Sequence, residues 1–238
     1  MSSITYNGHD LSQHVTAELV EPAGHALSPR TLAVPGRPGA VLLGSELPPR
    51  VFRVRLFMDA GISLGADERS EIRHELYGWL CAPDGAELEL PGEPGLTWRD
   101  AVVTDASGWD SLFEDGSCEL AFTCLDPVAY GDEVTSAGTA LTVGGTWATW
   151  PVVTLTALTG TSVKVADGLG RYVLVERTFA AGDVVVMDFA AEVVTADGVD
   201  ASADVAVEST FFSLSPGSHS LVFSGCSTHT VAWTERWL

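Results

Sequence analysis

Residues 120–134 read LAFTCLDPVAYGDEV. An alternating strand runs up to Cys124, an Asp-Pro corner follows, and then come a tyrosine, a glycine and two acids. Proline fixes its own φ and pushes the residue before it out of helical space, so Asp126-Pro127 ends the strand and turns the chain. The run from Cys124 to Pro127 is either a reactive centre or a seam between domains. The sequence on its two sides decides which.

Upstream, most of the chain reads as strand. Residues 4–6 lead into Asn7-Gly8, a pair that favours a tight hairpin turn. The stretch VFRVRLF at 51–57 puts Arg53 and Arg55 on one face among apolar neighbours, a strand with a polar edge or interface side. Before it, VPGRPGAVLLG at 34–44 reads as a Pro/Gly-punctuated loop feeding a short apolar run. One helix is predicted over about 67–81, because Ile72, Leu76, Trp79 and Leu80 recur at helical spacing. Asp67 is its candidate cap, Glu68 and Glu71 suit its positive end, and Pro83 stops it. Strands are expected at 86–90, 98–104 and 119–124.

Downstream of residue 139 the texture changes. Short strands recur at 152–158, 162–166, 172–176, 183–188, 193–196, 205–209, 220–224 and 230–233, with Thr-Gly, Asp-Gly and Pro-Gly breaks between them. Spacing of about ten residues is the pattern of an all-β sandwich of two packed sheets. The boundary is placed near 131–145, giving a first domain over 1–135 and a second over 140–238. On this reading the opening stretch is a seam.

The chain has 238 residues, 46% of them hydrophobic, enough to fill real cores. No run approaches the roughly 18 apolar residues of a membrane span, and the N-terminus shows no secretory pattern. The formal charge is −20, from 12 basic and 32 acidic residues, and Lys164 is the single lysine. Residues 1–138 hold 8 arginines and 22 acids, net −14, and the remainder is net −6. Such a surface repels phosphate, which argues against stable binding of nucleic acid.

Catalytic and metal chemistry find little support. The four cysteines, Cys81, Cys118, Cys124 and Cys226, form no CxxC pair and read as buried free thiols. Glu71 and His74 have a carboxylate–histidine spacing that occurs once, where a metal site needs two copies and further acids. His219 and His229 flank a hairpin without a third ligand. Asp183 and Asp188 lie on opposite faces of one strand, about 16 Å apart, too far for a glycosidase pair. No enzyme motif and no cofactor site is expected. The tryptophans Trp147, Trp150, Trp233 and Trp237 sit at element ends. There they staple linker and C-terminus to the core; alternatively, Trp147 and Trp150 stack on sugar rings.

In order, ITYNGHDLS, RTLAVPGRPGAVL, RVFRVRLFM, LYGWL and AFTCLDPVAYG resemble the distal tail proteins of long-tailed phages with non-contractile tails. TWATWPVVTLTALTG, RYVLVERTFAAGDVVVMDFAAEVVT, SLSPGSHSLVFSG and TVAWTERWL resemble the same family's galectin-like domain. The resemblance covers essentially the whole chain and rests on the order of these stretches. It implies a mainly β protein: an N-terminal split-barrel-like domain with one α-helix, then a galectin-like β-sandwich. It further implies a homohexameric ring that joins the tail tube protein to the tail-tip hub, with DNA crossing its lumen. The expected location is the virion tail tip, with assembly in the host cytoplasm. Asp126, Pro127 and Tyr130 then form the domain junction, while Arg53 and Arg55 are the expected subunit contacts. Some family members carry an inserted carbohydrate-binding module, for which this chain has no room.

Overall fold

The computed structural model describes residues 3–21, 26–58 and 65–238. The chain forms two compact units, one running through Tyr130 and including Leu238, the other from Gly131 to Trp237. It passes from one to the other inside the strand Ala129–Ser136.

The first unit opens with the Asn7-Gly8 turn. Both residues have positive φ, 53° and 75°, and Thr5 and Tyr6 pair back onto Asp10 and His9. The sheet then runs Thr16–Glu21, Arg50–Phe57, Ser117–Cys124, Thr97–Asp105, Ala86–Glu89 and Thr5–Tyr6, all antiparallel. Thr97–Asp105 changes partner along its length: Ala101 to Asp105 pair with Ser117–Cys124, while Thr97 and Trp98 pair with Ala129–Ser136. Asp100 sits at the switch with a φ of 51°. Its carbonyl accepts the N–H of Leu125 at 3.1 Å, so the left-handed residue also anchors the chain entering the Asp-Pro corner.

Side chains on alternate positions of these strands fill the core. Phe52, Val54 and Leu56 are fully buried, as their period-two spacing requires. Phe52 meets Trp98 at 4.7 Å between ring centres, and Tyr6 meets Phe122 edge-on at 5.2 Å. The Tyr6 hydroxyl donates to the Ala101 carbonyl at 2.9 Å, so the buried phenol is satisfied.

Helix α1, Ala66–Leu80, starts and ends within a residue of the sequence expectation. Its cap is Gly65 rather than Asp67, which lies in the first turn. A second helix, α2, Trp109–Glu114, corrects the expectation of one helix. Trp109, Leu112 and Phe113 recur at helical spacing and are buried, but one and a half turns are too short to stand out in a sequence window.

The loop expected over 34–44 is instead the turn and second strand of a hairpin, Ser28–Ala33 against Ala40–Glu46. It forms a sheet of its own. Val34-Pro35-Gly36-Arg37 makes the turn: Arg37 N–H donates to the Val34 carbonyl at 3.1 Å, and Gly36 has a φ of 79°. Proline at the second position and glycine at the third are what a type II turn demands.

The second unit is a two-sheet antiparallel sandwich. One sheet runs Ala140–Val143, Gly217–Ser224, Gly160–Asp167 and Tyr172–Phe179. The other runs Val199–Asp200, Val193–Ala196, Val184–Asp188, Val152–Ala157 and Cys226–Trp237. Strand Val152–Ala157 alternates half-buried and buried without a break. Its inward residues join Val165, Val173, Phe179, Phe189 and Trp233 in one core. The window 131–145 is strand over much of its length, with Leu141 and Val143 buried, although four residues of Ala-Leu-Thr-Val show too little pattern to read. Conversely, 205–209 is not a strand: Val205 makes a lone bridge to Val175 and Val207 is fully exposed.

Candidate functional site

The hairpin Ser28–Ala33/Ala40–Glu46 is exposed along both strands. Leu32 is 53% exposed, Leu42 62% and Leu43 66%. Leu32 opposes Val41 on one face, and Leu42 opposes Thr31 on the other. The register slips between Arg30 and Thr31, leaving Leu43 as the extra residue of a bulge. Bulges twist a ribbon and re-aim side chains. Arg30 forms an ion pair with Glu46 across the hairpin base.

An apolar groove lies where α1 ends. Tyr77, Leu80, Cys81, Pro83, Val103 and Trp109 line it, and it encloses about 270 Å³. Trp109 is brought there by α2, with its ring edge-on to Tyr77 at 6.2 Å. A shallower hollow continues past Tyr77 and Trp109 to Arg73, His74 and Asp110.

Arg53 and Arg55 share the outer face of strand Arg50–Phe57, as expected from their spacing. Both reach one carboxylate of their own chain, Glu119, at 3.4 and 3.3 Å. Beside them, Asp105 accepts the Ser107 N–H at 2.9 Å. That hydrogen bond, with the serine hydroxyl and nearby Arg53, holds the Asp105 carboxyl below its usual range. Arg50, on the same strand, lies over the rings of Phe52 and Trp98, at 4.6 and 4.5 Å from their centres.

At the corner, Asp126 is the organising residue. Its carboxylate accepts the Val128 N–H at 3.1 Å and the Tyr130 hydroxyl at 2.6 Å, closing the turn around Pro127. The Arg99 guanidinium covers the Tyr130 ring at 3.8 Å. The adjacent thiol is inert: burial pushes Cys124 up to about 12, and Cys118 up to about 11. The geometry around Cys124 is structural.

Trp147 and Trp150 are 37% and 40% exposed. Between them, Thr149 is buried, its hydroxyl donating to the Thr234 carbonyl at 2.6 Å. Trp233 is in the core. The remaining candidates are taken up locally. Asp183 accepts the Ala180 N–H, Asp188 those of Ala190 and Ala191, and His219 bonds the Ser215 carbonyl. His229 stacks on Phe223 at 3.9 Å. Among the described residues no group of three His, Cys, Asp or Glu side chains could hold a metal ion, and no helix is long and apolar enough to cross a membrane. The exposed hairpin and the groove are the surfaces sequence reasoning missed. The signal was present in two apolar runs flanking Pro-Gly, which also spells a hairpin.

Comparison with known proteins bears on what these surfaces serve. Along 99% of its length the chain is 24% identical to the distal tail protein of Bacillus phage SPP1, covering 96% of that protein. The crystal structure of SPP1 Dit, described as a paradigm of the hub adsorption apparatus in phages infecting Gram-positive hosts, superposes with a TM-score of 0.81. Identity there is 20% and each chain is covered completely. A chain of the activated phage P2 baseplate superposes more loosely, with a TM-score of 0.52 at 10% identity over 99% of this chain and 98% of that one. A family model described as the C-terminal domain of the siphovirus-type tail component matches residues 144–237. Residues 144–237 therefore match the siphovirus-type tail component family, and along its whole length the chain is similar to a distal tail protein.

Proposed function

We propose that this chain is a structural part of a phage tail tip, a subunit of a homohexameric ring that joins the tail tube to the tail-tip hub. The observation that carries this reading is the end-to-end relation to a distal tail protein, which spans both units rather than the sandwich alone. The role is mechanical rather than catalytic, and no cofactor takes part. The first domain builds the ring, and the sandwich is carried with it. Arg53 and Arg55 suit subunit contact, because two guanidiniums on one Glu119 leave a positive charge for a neighbour's carboxylate.

The charge gives the ring a use. Six copies at −20 carry a formal −120, concentrated in the first domain. Adhesion to DNA is driven by cations that displace counterions from phosphate, and here acids outnumber basic residues 32 to 12. DNA crossing the lumen meets like charge and slides.

Light scattering and negative-stain images of the purified protein test the reading. A six-fold ring is expected, and a particle of 25.1 kDa, the mass of one chain, contradicts it. A gel-shift titration at low salt should show no duplex DNA complex at micromolar protein. The half-exposed Trp147 and Trp150 favour a second reading, a sugar-binding sandwich for host adhesion. Glycan binding abolished by Trp150→Ala is the result that selects it.

A further inference from the structure

We propose that the groove where α1 ends is a docking site for a segment of another protein, one that presents an aromatic side chain between arginines or lysines. The inference goes beyond the ring reading and takes nothing from it.

An unsatisfied donor points to a ligand. Trp109 is 8% exposed, and its indole N–H finds no acceptor among the described residues. A buried donor in that state has lost its hydration and gained nothing in return. Trp98 and Trp233 also lack acceptors, but they lie inside the two cores. Trp109 instead borders both the groove and the hollow beside it. A peptide carbonyl entering there supplies the missing acceptor.

Shape and charge then select the segment. Tyr77, Leu80, Pro83, Val103 and Trp109 leave about 270 Å³ between them. A cavity of about 150 Å³ holds benzene, so this one takes an aromatic ring with room for its backbone. Such a ring covers Tyr77, which is 61% exposed. Asp84 and Asp105 are exposed and adjoin the lining residues Pro83 and Ala106, and Asp110 borders the hollow. The nearby Arg73 is already engaged, 3.8 Å from Asp110 and over the Phe113 ring at 4.8 Å. Helix α1 ends here with no basic residue in its last turn, so its negative end adds to the same field. Cations flanking the aromatic side chain match that rim, and an acidic segment is repelled.

The groove contains its own reporter. Cys81, expected from the sequence to be buried, stands one residue past the buried Leu80 and is exposed at the groove. The probe is a capped peptide, glycine–arginine–phenylalanine–arginine–glycine, and its control carries glutamate for arginine. At about ten times its Kd, the arginine peptide should slow iodoacetamide labelling of Cys81 about tenfold, as read by mass spectrometry. The glutamate peptide at the same concentration should leave the rate unchanged. Trp109→Phe keeps a ring and removes the N–H, and should weaken the arginine peptide about five- to tenfold. Should that variant fail to fold by circular dichroism, Asp84→Asn with Asp105→Asn on the surface should weaken it by a similar factor. No protection, equal protection by both peptides, or full affinity in these variants overturns the proposal. Protection that grows with protein concentration in the absence of peptide also overturns it, because a second copy of this chain then fills the groove.

Discussion

The hairpin Ser28–Ala33/Ala40–Glu46 and the hairpin Gly160–Asp167/Tyr172–Phe179 follow the same pairing rules to different ends. In the second, Val163 opposes Val175 and Val165 opposes Val173, and all four are buried. In the first, Leu32 opposes Val41 in equally good register, yet Leu32 stays more than half exposed. The difference is the second layer. The valines face the opposite sheet of the sandwich, and no described element covers the leucines. Cross-strand pairing orders a ribbon, whereas burial, worth about 25 cal/mol per Å² of apolar surface, needs something to lie on it.

The largest effect should come from emptying the covered hairpin. Phe179→Ala removes a 1%-exposed ring from the sandwich core and should cost about 3–5 kcal/mol in urea unfolding. A loss below about 1 kcal/mol would erase the contrast. Next comes alkaline pH, acting on the first unit. The thiols of Cys118 and Cys124 are raised from an ordinary 9.0 to about 11 and about 12, so the fold excludes the thiolate. That stability is complete below pH about 9 and is lost as pH rises towards 12, where the unfolded chain ionises first. The urea midpoint should therefore fall between pH 8 and pH 10.5. At pH 8 iodoacetamide should label Cys81 and spare both buried thiols.

At the corner, Asp126→Ala removes the acceptor of both Tyr130 and Val128 and should cost about 1–3 kcal/mol. An unchanged urea midpoint would show that Pro127 holds the turn alone. The smallest effect sharpens the comparison from the other side. Leu32→Ala on the exposed hairpin should alter monomer stability by no more than about 0.5 kcal/mol. A larger loss, measured in dilute protein, would show that this hairpin is buried within its own chain.

The sandwich was legible because its strands are half-buried and alternate, so that Val152 to Ala157 spells period two in the sequence itself. Helix α1 was legible through its length. The exposed hairpin was not, because ALSPRTLA and AVLLGSE lack the polar alternation that a core-facing strand carries, and two Pro-Gly pairs disguise a turn as a loop. Helix α2 is too short to register. At the candidate sites, the shared face of Arg53 and Arg55 follows from spacing alone. Their common partner Glu119 is 66 and 64 residues away and becomes visible only when the strands are paired. Asp126 and Tyr130 were recognisable as a corner, but the hydrogen bond between them depends on side-chain geometry that the letters do not contain.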